Sequence, residues 1–445
     1  MRVLNIKSVL GRFWLLKLLL FPIFLVIWPF YFSYLYYFYS RQLSKNAGQR
    51  QLFFLALDQY GVTVPLLCYV RCWSDVRSSA SLVVFTPQIE LVRKLAKNIC
   101  PAVQLIAPPV LFSNFVQRAF NVFARNFVFV PLYHKLLRKY PEALYINETR
   151  NVSKSVYVKH LDEIYKNRPY DSPFWDAYVE TRKVFDVRYN VAQDFFQLAK
   201  DFRGIFVDEA LVQDLLSGLK VPGKYVVINI NVKDYSNKIQ NIRRIAHFER
   251  YNVLIDYLID KGYSVVLQGQ REQPFFSPRK GFIDYAHSKF QSAENDLLLF
   301  GGCEFYVSSK TGAEWYGLVC DKPVLGLNYT ELSSMQPCSR LRFYPKRVRN
   351  KEGSYLLWRE FLKHPLYFQL GQSLPTQETF EFVEMEEHEI IAAVEEFLQL
   401  LQKPREQWMN YSSLQADFKK MLHPGHLDLY HISGLPCEAY LKEDS

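Results

Sequence analysis

The sequence lacks the short motifs that mark several large classes of enzyme. It contains no GxGxxG and no GxxxxGK[ST], which argues against a dinucleotide oxidoreductase and a P-loop ATPase. The metalloprotease motif HExxH and the nucleophile elbow GxSxG are also absent. No Asp-x-Asp pair occurs, so a diphosphate bridged to the protein by metal is not indicated, and we predict neither a metal site nor a cofactor.

Cysteine pairs are missing as well. The seven cysteines are an odd number without any CxxC spacing, which is typical of reduced thiols in a cytosolic domain. Lysine and arginine number 54 against 44 acidic residues, and the resulting charge of +10 favours anionic partners such as membrane lipid or nucleotide phosphates. No basic stripe with a reading motif accompanies this charge, so we predict no nucleic-acid partner.

The first fifty residues form a predicted membrane segment. From Phe13 to Ser40 the only charged side chain is Lys17, and this length is enough to span a bilayer. The run is too long for a cleavable signal peptide, and no small-residue cleavage site follows it. Pro22 and Pro29 interrupt the run, and its second half has the aromatic mixture of membrane interfaces. A spanning anchor, a re-entrant or surface-lying hairpin and a buried soluble helix all remain open.

Residues 51–215 are predicted to form a first Rossmann-like domain. Strands at 51–57, 81–87 and 103–109 alternate with helical stretches, which indicates a parallel sheet with right-handed crossovers. Asp58 follows the first of these strands, at the carboxyl edge where ligands bind, and is a candidate general base. The alternative for Asp58 is an ordinary turn residue.

Between Val110 and Tyr140, phenylalanines are interleaved with basic residues. One interpretation is a pair of core helices with a solvated basic face. The other is a second membrane-contact surface, where aromatic rings enter the interface and lysine and arginine meet anionic headgroups.

Residues 141–220 are polar and mostly helical in pattern, and a second Rossmann-like domain is predicted over 216–405. Apolar stretches predict strands, and amphipathic stretches predict helices at 245–261 and 388–403. The predicted strands of this domain are 225–230, 263–269, 304–307 and 324–327, with a short strand or turn at 282–288. Residues 406–445 are predicted to be a C-terminal extension.

The turn after strand 304–307 is the strongest candidate for a ligand site. Ser308, Ser309 and Thr311 can donate hydroxyl hydrogen bonds there, and Gly312 lets a ligand approach the backbone. A small-residue turn between a strand and a helix also leaves backbone N–H groups at a positive helix end, which suits a phosphate or diphosphate. Lys310 adds a cation.

Other polar residues are predicted at the same edge. Lys233 follows the strand at 225–230, and Arg244 precedes the next helix, so both are candidate phosphate cations or ordinary loop charges. Glu314 lies in the first turn of the helix after the candidate turn. It can bind a ribose diol or simply complement the helix dipole.

Several short motifs follow one another in a fixed order over about residues 220–400. They are Arg244–Tyr251, Gly262–Gly269, Asp284–Ser288 and Thr311–Gly312, followed by Pro345–Lys346 and the helix containing Glu389, Ile390, Val394 and Glu396. Their order and spacing resemble a family of bacterial glycosyltransferases from surface-polysaccharide gene clusters. The resemblance implies an α/β fold of two Rossmann-like domains (GT-B-like), here with an N-terminal hydrophobic membrane segment.

The resemblance also implies a function: metal-independent transfer of a sugar from a nucleotide-diphosphate donor to a lipid-linked or surface-polysaccharide acceptor. The donor would be held by Arg244, Gly269, Thr311 and the other residues of the candidate turn. Because nucleotide sugars are cytosolic, the catalytic domains are predicted on the cytoplasmic side of a bacterial inner membrane. Leu267 stands where the family pattern has an arginine, and Lys233 stands at another such position. Loss of an arginine removes a bidentate phosphate ligand, so a non-catalytic membrane-anchored scaffold of polysaccharide assembly is the alternative.

Overall fold

A computed structural model gives the structure of the chain. It describes residues 29–45, 50–55, 67, 80–84, 97, 104–106, 130–139, 144–147, 207–231, 246–269, 276–309, 311, 313–330, 340–362, 380–422 and 434–443. The chain divides into two compact units, Met1–Glu148 and Thr149–Ser445.

The first unit contains a four-stranded parallel sheet. Its strands are β1 (Arg50–Leu55), β2 (Ala80–Val84), β3 (Gln104–Ile106) and β4 (Leu144–Asn147), in the order β3-β2-β1-β4. The three predicted strands and their parallel arrangement are confirmed. Strand β4 was not predicted, because it lies in a stretch whose pattern is mostly helical. Leu-Tyr-Ile-Asn is a short run with aromatic and β-branched residues, and it forms a strand because it pairs along β1 from Leu52 to Leu55.

The first unit contains two longer helical segments among the described residues. Residues 29–45 are helical, and α1 comprises Val130–Lys139. The ammonium of Lys135 in α1 lies 4.1 Å from the ring centroid of Tyr36, which brings the two segments together. Among the described residues, none of the helices combines the length and the apolar character that crossing a bilayer requires. Residues 1–28 of the predicted membrane segment and the phenylalanines at 112–127 lie outside the described residues.

The second unit contains a seven-stranded parallel sheet. Its strands are β5 (Tyr225–Asn229), β6 (Ser264–Leu267), β7 (Phe282–Asp284), β8 (Tyr306–Ser308), β9 (Val324–Tyr329), β10 (Leu341–Pro345) and β13 (Leu435–Pro436), in the order β13-β10-β9-β8-β5-β6-β7. Every residue of β5, β6 and β9 is buried, as expected of strands covered on both faces. The predicted parallel sheet is confirmed, and β10 and β13 extend it beyond the predicted strands.

Helices and a small antiparallel pair complete the second unit. The pair is β11 (Arg347–Asn350) with β12 (Phe380–Val383). The helices are α2 (Glu209–Leu219), α3 (Asn252–Asp260), α4 (Ala293–Gly302), α5 (Glu314–Val319), α6 (Trp358–Phe361), α7 (Glu387–Leu401), α8 (Ser413–Met421) and α9 (Glu438–Glu443). Short 3-10 helices cover Phe248–Tyr251 and Arg405–Met409.

The start of α3 differs from the prediction, whereas its end agrees. Gly262 has a φ of 87°, and its N–H donates to the carbonyl of Ile259 at 2.8 Å, so glycine ends the helix as predicted. The helix was predicted from residue 245 but begins at Asn252, after a 3-10 turn. The backbone before it is held elsewhere, because the N–H of Ala246 donates to the carbonyl of Asn231 at 2.9 Å.

The order of the strands reverses direction at the first strand of each sheet. From β5 the chain proceeds outward through β6 and β7, and then returns to place β8 on the other side of β5. The same reversal occurs at β1, which lies between β2 and β4. In open α/β sheets, ligands bind beyond the carboxyl ends of the strands at such a reversal. The sheet order therefore marks the ends of β5 and β8 as the place to look for a ligand site.

Candidate ligand site at the carboxyl edge of the seven-stranded sheet

The segments that leave β5 and β8 are joined by hydrogen bonds at the point of reversal. Asn229 pairs with Ser308 in the sheet, and the N–H of Ser309 donates to the carbonyl of Asn229 at 3.1 Å. The N–H of Asn231 in turn donates to the hydroxyl of Ser309 at 2.6 Å. The buried side chain of Ser309 thus fixes the start of the loop that follows β5.

The turn between β8 and α5 is organised by hydroxyl groups around a buried carboxylate. The hydroxyl of Ser308 donates to Oε1 of Glu314 at 2.6 Å and accepts the N–H of Thr311 at 3.3 Å. The hydroxyl of Thr311 lies 3.2 Å from that of Tyr306. Because α5 has only six residues, the helix dipole contributes little here. The polarity of this turn comes mainly from its hydroxyl and backbone groups.

The structure brings part of the predicted donor site together. Ser309, Thr311 and Glu314 lie in this turn, as predicted from the sequence. Glu314 is buried and accepts the Ser308 hydroxyl, and its role toward a ribose diol stays a prediction. Five predicted site residues lie outside the described residues, and their roles also stay predictions: Asp58, Lys233, Arg244, Lys310 and Gly312.

Gly269 lies at the end of β6, the next strand along the same edge. Its carbonyl accepts a hydrogen bond from Nε2 of Gln291 at 2.6 Å. At the end of the neighbouring β7, Asp284 holds the ring of His287, with 2.7 Å between Oδ2 and Nδ1. Gly269, Asp284 and Thr311, each from a different motif of the family resemblance, therefore lie at or just beyond the carboxyl ends of β6, β7 and β8.

Tyr251 and Asn328 form a buried link that sequence reasoning missed. Nδ2 of Asn328 donates to the hydroxyl of Tyr251 at 2.9 Å, and Oδ1 of Asn328 accepts the N–H of Met385 at 2.8 Å. Burial raises the pKa of Tyr251, although hydrogen bonds from Asn328 and Ser309 act in the opposite direction. The link therefore connects the candidate turn to the end of β9. Asn328 has a φ of 57°, and an asparagine at the end of an apolar run was the available signal.

A buried ion pair lies at the end of β10. Lys346 follows Pro345, and its ammonium lies 3.4 Å from Oε1 of Glu384. Burial lowers the pKa of Lys346, although the nearby Glu384 acts in the opposite direction. The same carboxylate accepts the N–H of His247 at 3.0 Å. The Pro345–Lys346 pair in the family resemblance was the signal for this group, but the sequence did not show that the lysine is buried.

Buried polar side chains also form hydrogen bonds near the ends of β5 and β6. Nδ2 of Asn229 donates to Oε1 of Gln268, and the hydroxyl of Tyr285 donates to Oδ1 of Asp296 at 2.9 Å. Burial raises the pKa of Asp296 to about 7, although hydrogen bonds from Tyr285 and Gln268 oppose that shift. A carboxyl group at this edge therefore titrates close to neutral pH.

Among the described residues, no group of three or more histidine, cysteine or acidic side chains is placed to hold a metal ion. Cys303, Cys320 and Cys437 are free and buried. Burial raises the pKa of Cys303 to about 12, so this thiol stays protonated and unreactive near neutral pH.

No protein-family model matches the chain, and no curated protein does. Among solved structures, the chain is similar to a glycosyl transferase of family 9 from Veillonella parvula DSM 2008, with 14% identity, coverage of 79% of this chain and 98% of that chain, and a TM-score of 0.43. It is similar to the ADP-heptose lipopolysaccharide heptosyltransferase II of E. coli, with 13% identity, coverage of 69% and 92%, and a TM-score of 0.39. It is also similar to the dodecameric iron-containing heptosyltransferase TibC in complex with ADP-D-beta-D-heptose, with 11% identity, coverage of 80% and 77%, and a TM-score of 0.41.

Proposed function

We propose that this protein is a glycosyltransferase that moves a sugar from a nucleotide-diphosphate donor to a lipid-linked or surface-polysaccharide acceptor. The observation that carries the proposal is the set of hydroxyl groups on Ser308, Ser309 and Thr311, between β8 and α5 at the reversal of the seven-stranded sheet. A parallel sheet offers its ligand-binding crevice at this point. Gly269, Asp284 and Thr311 from the family motifs support the proposal, since they lie at the ends of neighbouring strands on this edge.

In this proposal the turn binds the donor diphosphate. The hydroxyl of Thr311 donates a hydrogen bond to a phosphate oxygen, while Ser308 and Ser309 hold the backbone in place. Arg244 and Lys310 supply positive charge to the phosphate that leaves with the nucleotide. Charge stabilisation of this kind is usually the largest single contribution to catalysis.

The acceptor hydroxyl needs a base, and Asp58 is the proposed one. It lies three residues beyond β1, the strand at which the order of the four-stranded sheet reverses. That edge of the first sheet corresponds to the edge of the second sheet on which the candidate turn lies.

A non-catalytic scaffold with the same fold is the second candidate, and one observation favours it. Leu267 stands where the family pattern has an arginine, and its side chain is fully buried in β6. This position therefore provides no cation at the ligand edge. A protein that binds a nucleotide sugar without transferring the sugar would fit the second candidate.

We also propose that the protein associates with the bacterial inner membrane and keeps its catalytic domains in the cytoplasm. The apolar and aromatic sequence before residue 50 and the free thiols Cys303, Cys320 and Cys437 support this side of the membrane. These buried thiols do not suit labelling in intact cells. An exposed residue such as Ser354, replaced by cysteine, is the better probe. An impermeant thiol reagent should modify Ser354→Cys only after the cells are opened, and modification in intact cells would overturn the cytoplasmic placement.

Titration calorimetry of the full chain against a panel of nucleoside diphosphates and their sugar conjugates tests donor binding. Thr311→Val should weaken binding about tenfold or more, because a hydrogen bond to a charged group is worth about 1.5–3 kcal/mol. Ser309→Ala should also weaken binding, through the loop that its hydroxyl holds.

Ser264→Ala is the matched control for Ser309→Ala. Ser264 is a buried serine at the opposite end of the same sheet, where its hydroxyl donates to the carbonyl of Pro222 at 2.8 Å. This control should lose stability without losing donor affinity. If no member of the panel binds to the unmodified protein, the proposal fails. Donor binding without sugar transfer to any lipid or polysaccharide acceptor would support the non-catalytic scaffold instead.

A further inference from the structure

The helical residues 29–45 have two faces of different character. Leu35, Tyr39 and Leu43 are fully buried on one face at intervals of four residues, which is the spacing of an amphipathic helix. On the opposite face, Phe30 is 76% exposed and Tyr37 is 66% exposed. The described part of the hydrophobic run, residues 29–40, thus uses only one of its faces for packing inside the protein.

Contacts with α1 fix which face points outward. The ammonium of Lys135 lies 4.1 Å from the ring centroid of Tyr36 and 5.7 Å from that of Phe32. Leu132 and Leu136 of α1 are also fully buried. These helical segments belong to the same compact unit, so the exposed face has a defined orientation within it.

The exposed rings form a cluster rather than scattered singles. In the part of the chain that the structure describes, seven large hydrophobic side chains are exposed, and three of them are Phe30, Tyr34 and Tyr37. Their spacing of four and three residues places them on one side of the helix. Arg41 and Lys45 continue the same side and are also exposed. We call these five residues the aromatic face.

We propose that the aromatic face lies flat in the interface of an anionic lipid bilayer. Aromatic rings enter the boundary between headgroups and acyl chains, and basic side chains meet anionic headgroups, so rings and charges on one face match both layers. Arg138 and Lys139 at the exposed end of α1 add to the positive charge of this unit.

A lying orientation also explains why the helix has unlike faces. A helix that crosses a bilayer alone presents apolar side chains to lipid all around, whereas residues 29–45 place one side against protein and two basic residues on the other. This inference rests on the membrane association proposed above and specifies its surface. It does not depend on the sugar-transfer reaction.

Co-sedimentation of the full-length protein with lipid vesicles tests the inference. We expect tighter binding to phosphatidylcholine vesicles that contain phosphatidylglycerol than to phosphatidylcholine alone, and weaker binding at high salt. The double variant Phe30→Ser/Tyr37→Ser should lower the partition coefficient about tenfold or more. Arg41→Gln/Lys45→Gln should mainly reduce the preference for anionic vesicles, by about tenfold.

The matched control is Tyr355→Ser/Tyr411→Ser. It removes two rings of 40% and 41% exposure from the other unit and should leave the partition coefficient unchanged. Circular dichroism of each variant checks that the fold is retained, and a second double variant, Phe30→Gln/Tyr37→Gln, replaces the first if that one unfolds.

The outcomes separate the inference from the proposals on which it draws. If the unmodified protein binds no vesicles, membrane association itself fails. If it binds and Phe30→Ser/Tyr37→Ser binds equally well, the aromatic face is not the contact surface and this inference alone fails. Light scattering without lipid detects a second copy of the chain on this face. A dimer that Phe30→Ser/Tyr37→Ser converts to a monomer, with vesicle binding unchanged, would also overturn the inference. Calorimetry with nucleotide sugars reports on the reaction independently.

Discussion

The two parallel sheets of this protein follow the same order and differ in what is added to it. The order β3-β2-β1-β4 in the first sheet matches β7-β6-β5-β8 in the second, so each sheet reverses direction at its first strand. The second sheet then continues through β9, β10 and β13. The strand order marks the candidate ligand edge in both sheets, and the added strands of the second sheet place the polar groups of Asn328 and Lys346 along that edge.

The largest effect is expected from a substitution at the reversal of the first sheet, where Asp58 is the proposed base. Asp58→Asn should lower the turnover number about 10²–10⁴-fold, the usual contribution of a general base. The dissociation constant of the donor should stay the same, because the donor is proposed to bind at the second sheet. Single-turnover assays and calorimetry measure the two quantities separately.

Asp260→Asn is the control for this prediction, since Asp260 is exposed at the end of α3. Equal turnover in Asp58→Asn and in the unmodified protein would mean that the reversal in the first sheet carries no base. The correspondence between the two sheets would then be one of fold alone.

The sequence predicts a structural feature of this protein when the residues that form it lie close together along the chain. Strands β5, β6 and β9 were found because runs such as YVVIN are continuous and apolar, as strands buried on both faces must be. Strand β4 was missed because four residues in a polar region have a strand signal only once β1 is beside them. The two-residue strand β13 was missed for the same reason.

The residues of the candidate site also differ in whether their partners are near or distant in the sequence. Ser309 and Thr311 could be predicted because a small-residue turn after a strand is a local signal. The bond between Asn328 and Tyr251 spans 77 residues, and the pair Lys346–Glu384 joins separate loops, so neither leaves a local pattern. Burial shifts the pKa values of Lys346 and Asp296, and these side chains become buried only when the sheet has assembled.

The pH dependence of stability gives a second test of the difference between the two sheets, because one buried carboxyl group titrates in the second sheet's unit. Burial raises the pKa of Asp296 to about 7, whereas an unfolded chain has an aspartate pKa of about 3.9. The folded state therefore binds this proton more tightly than the unfolded state does. The stability associated with the neutral carboxyl is fully present below pH of about 4 and is lost as the pH rises through about 7.

Asp296→Asn should remove this fall in the free energy of unfolding, which is on the order of a few kcal/mol between pH 4 and 8. Urea unfolding at four pH values, compared with Asp260→Asn, measures the difference. Hydrogen exchange should place the effect in β5 and β6 and leave β1 and β2 unchanged. A pH dependence that is identical in Asp296→Asn and in the unmodified protein would show that this carboxyl does not titrate in the folded state.

The smallest expected effect concerns the end of the second sheet that lies away from the candidate site. A Cβ at Gly302 would lie 2.5 Å from the hydroxyl of Tyr225 and 2.5 Å from Cγ1 of Val212. Gly302→Ala should therefore lower the free energy of unfolding by about 1–3 kcal/mol through overpacking, with donor affinity unchanged. Tyr225→Phe removes the hydroxyl that the new methyl would meet, at the cost of its hydrogen bond to the carbonyl of Leu299. The double variant should consequently lose less stability than the two single variants together, and strict additivity in this cycle would argue that α4 and β5 do not pack as closely as described.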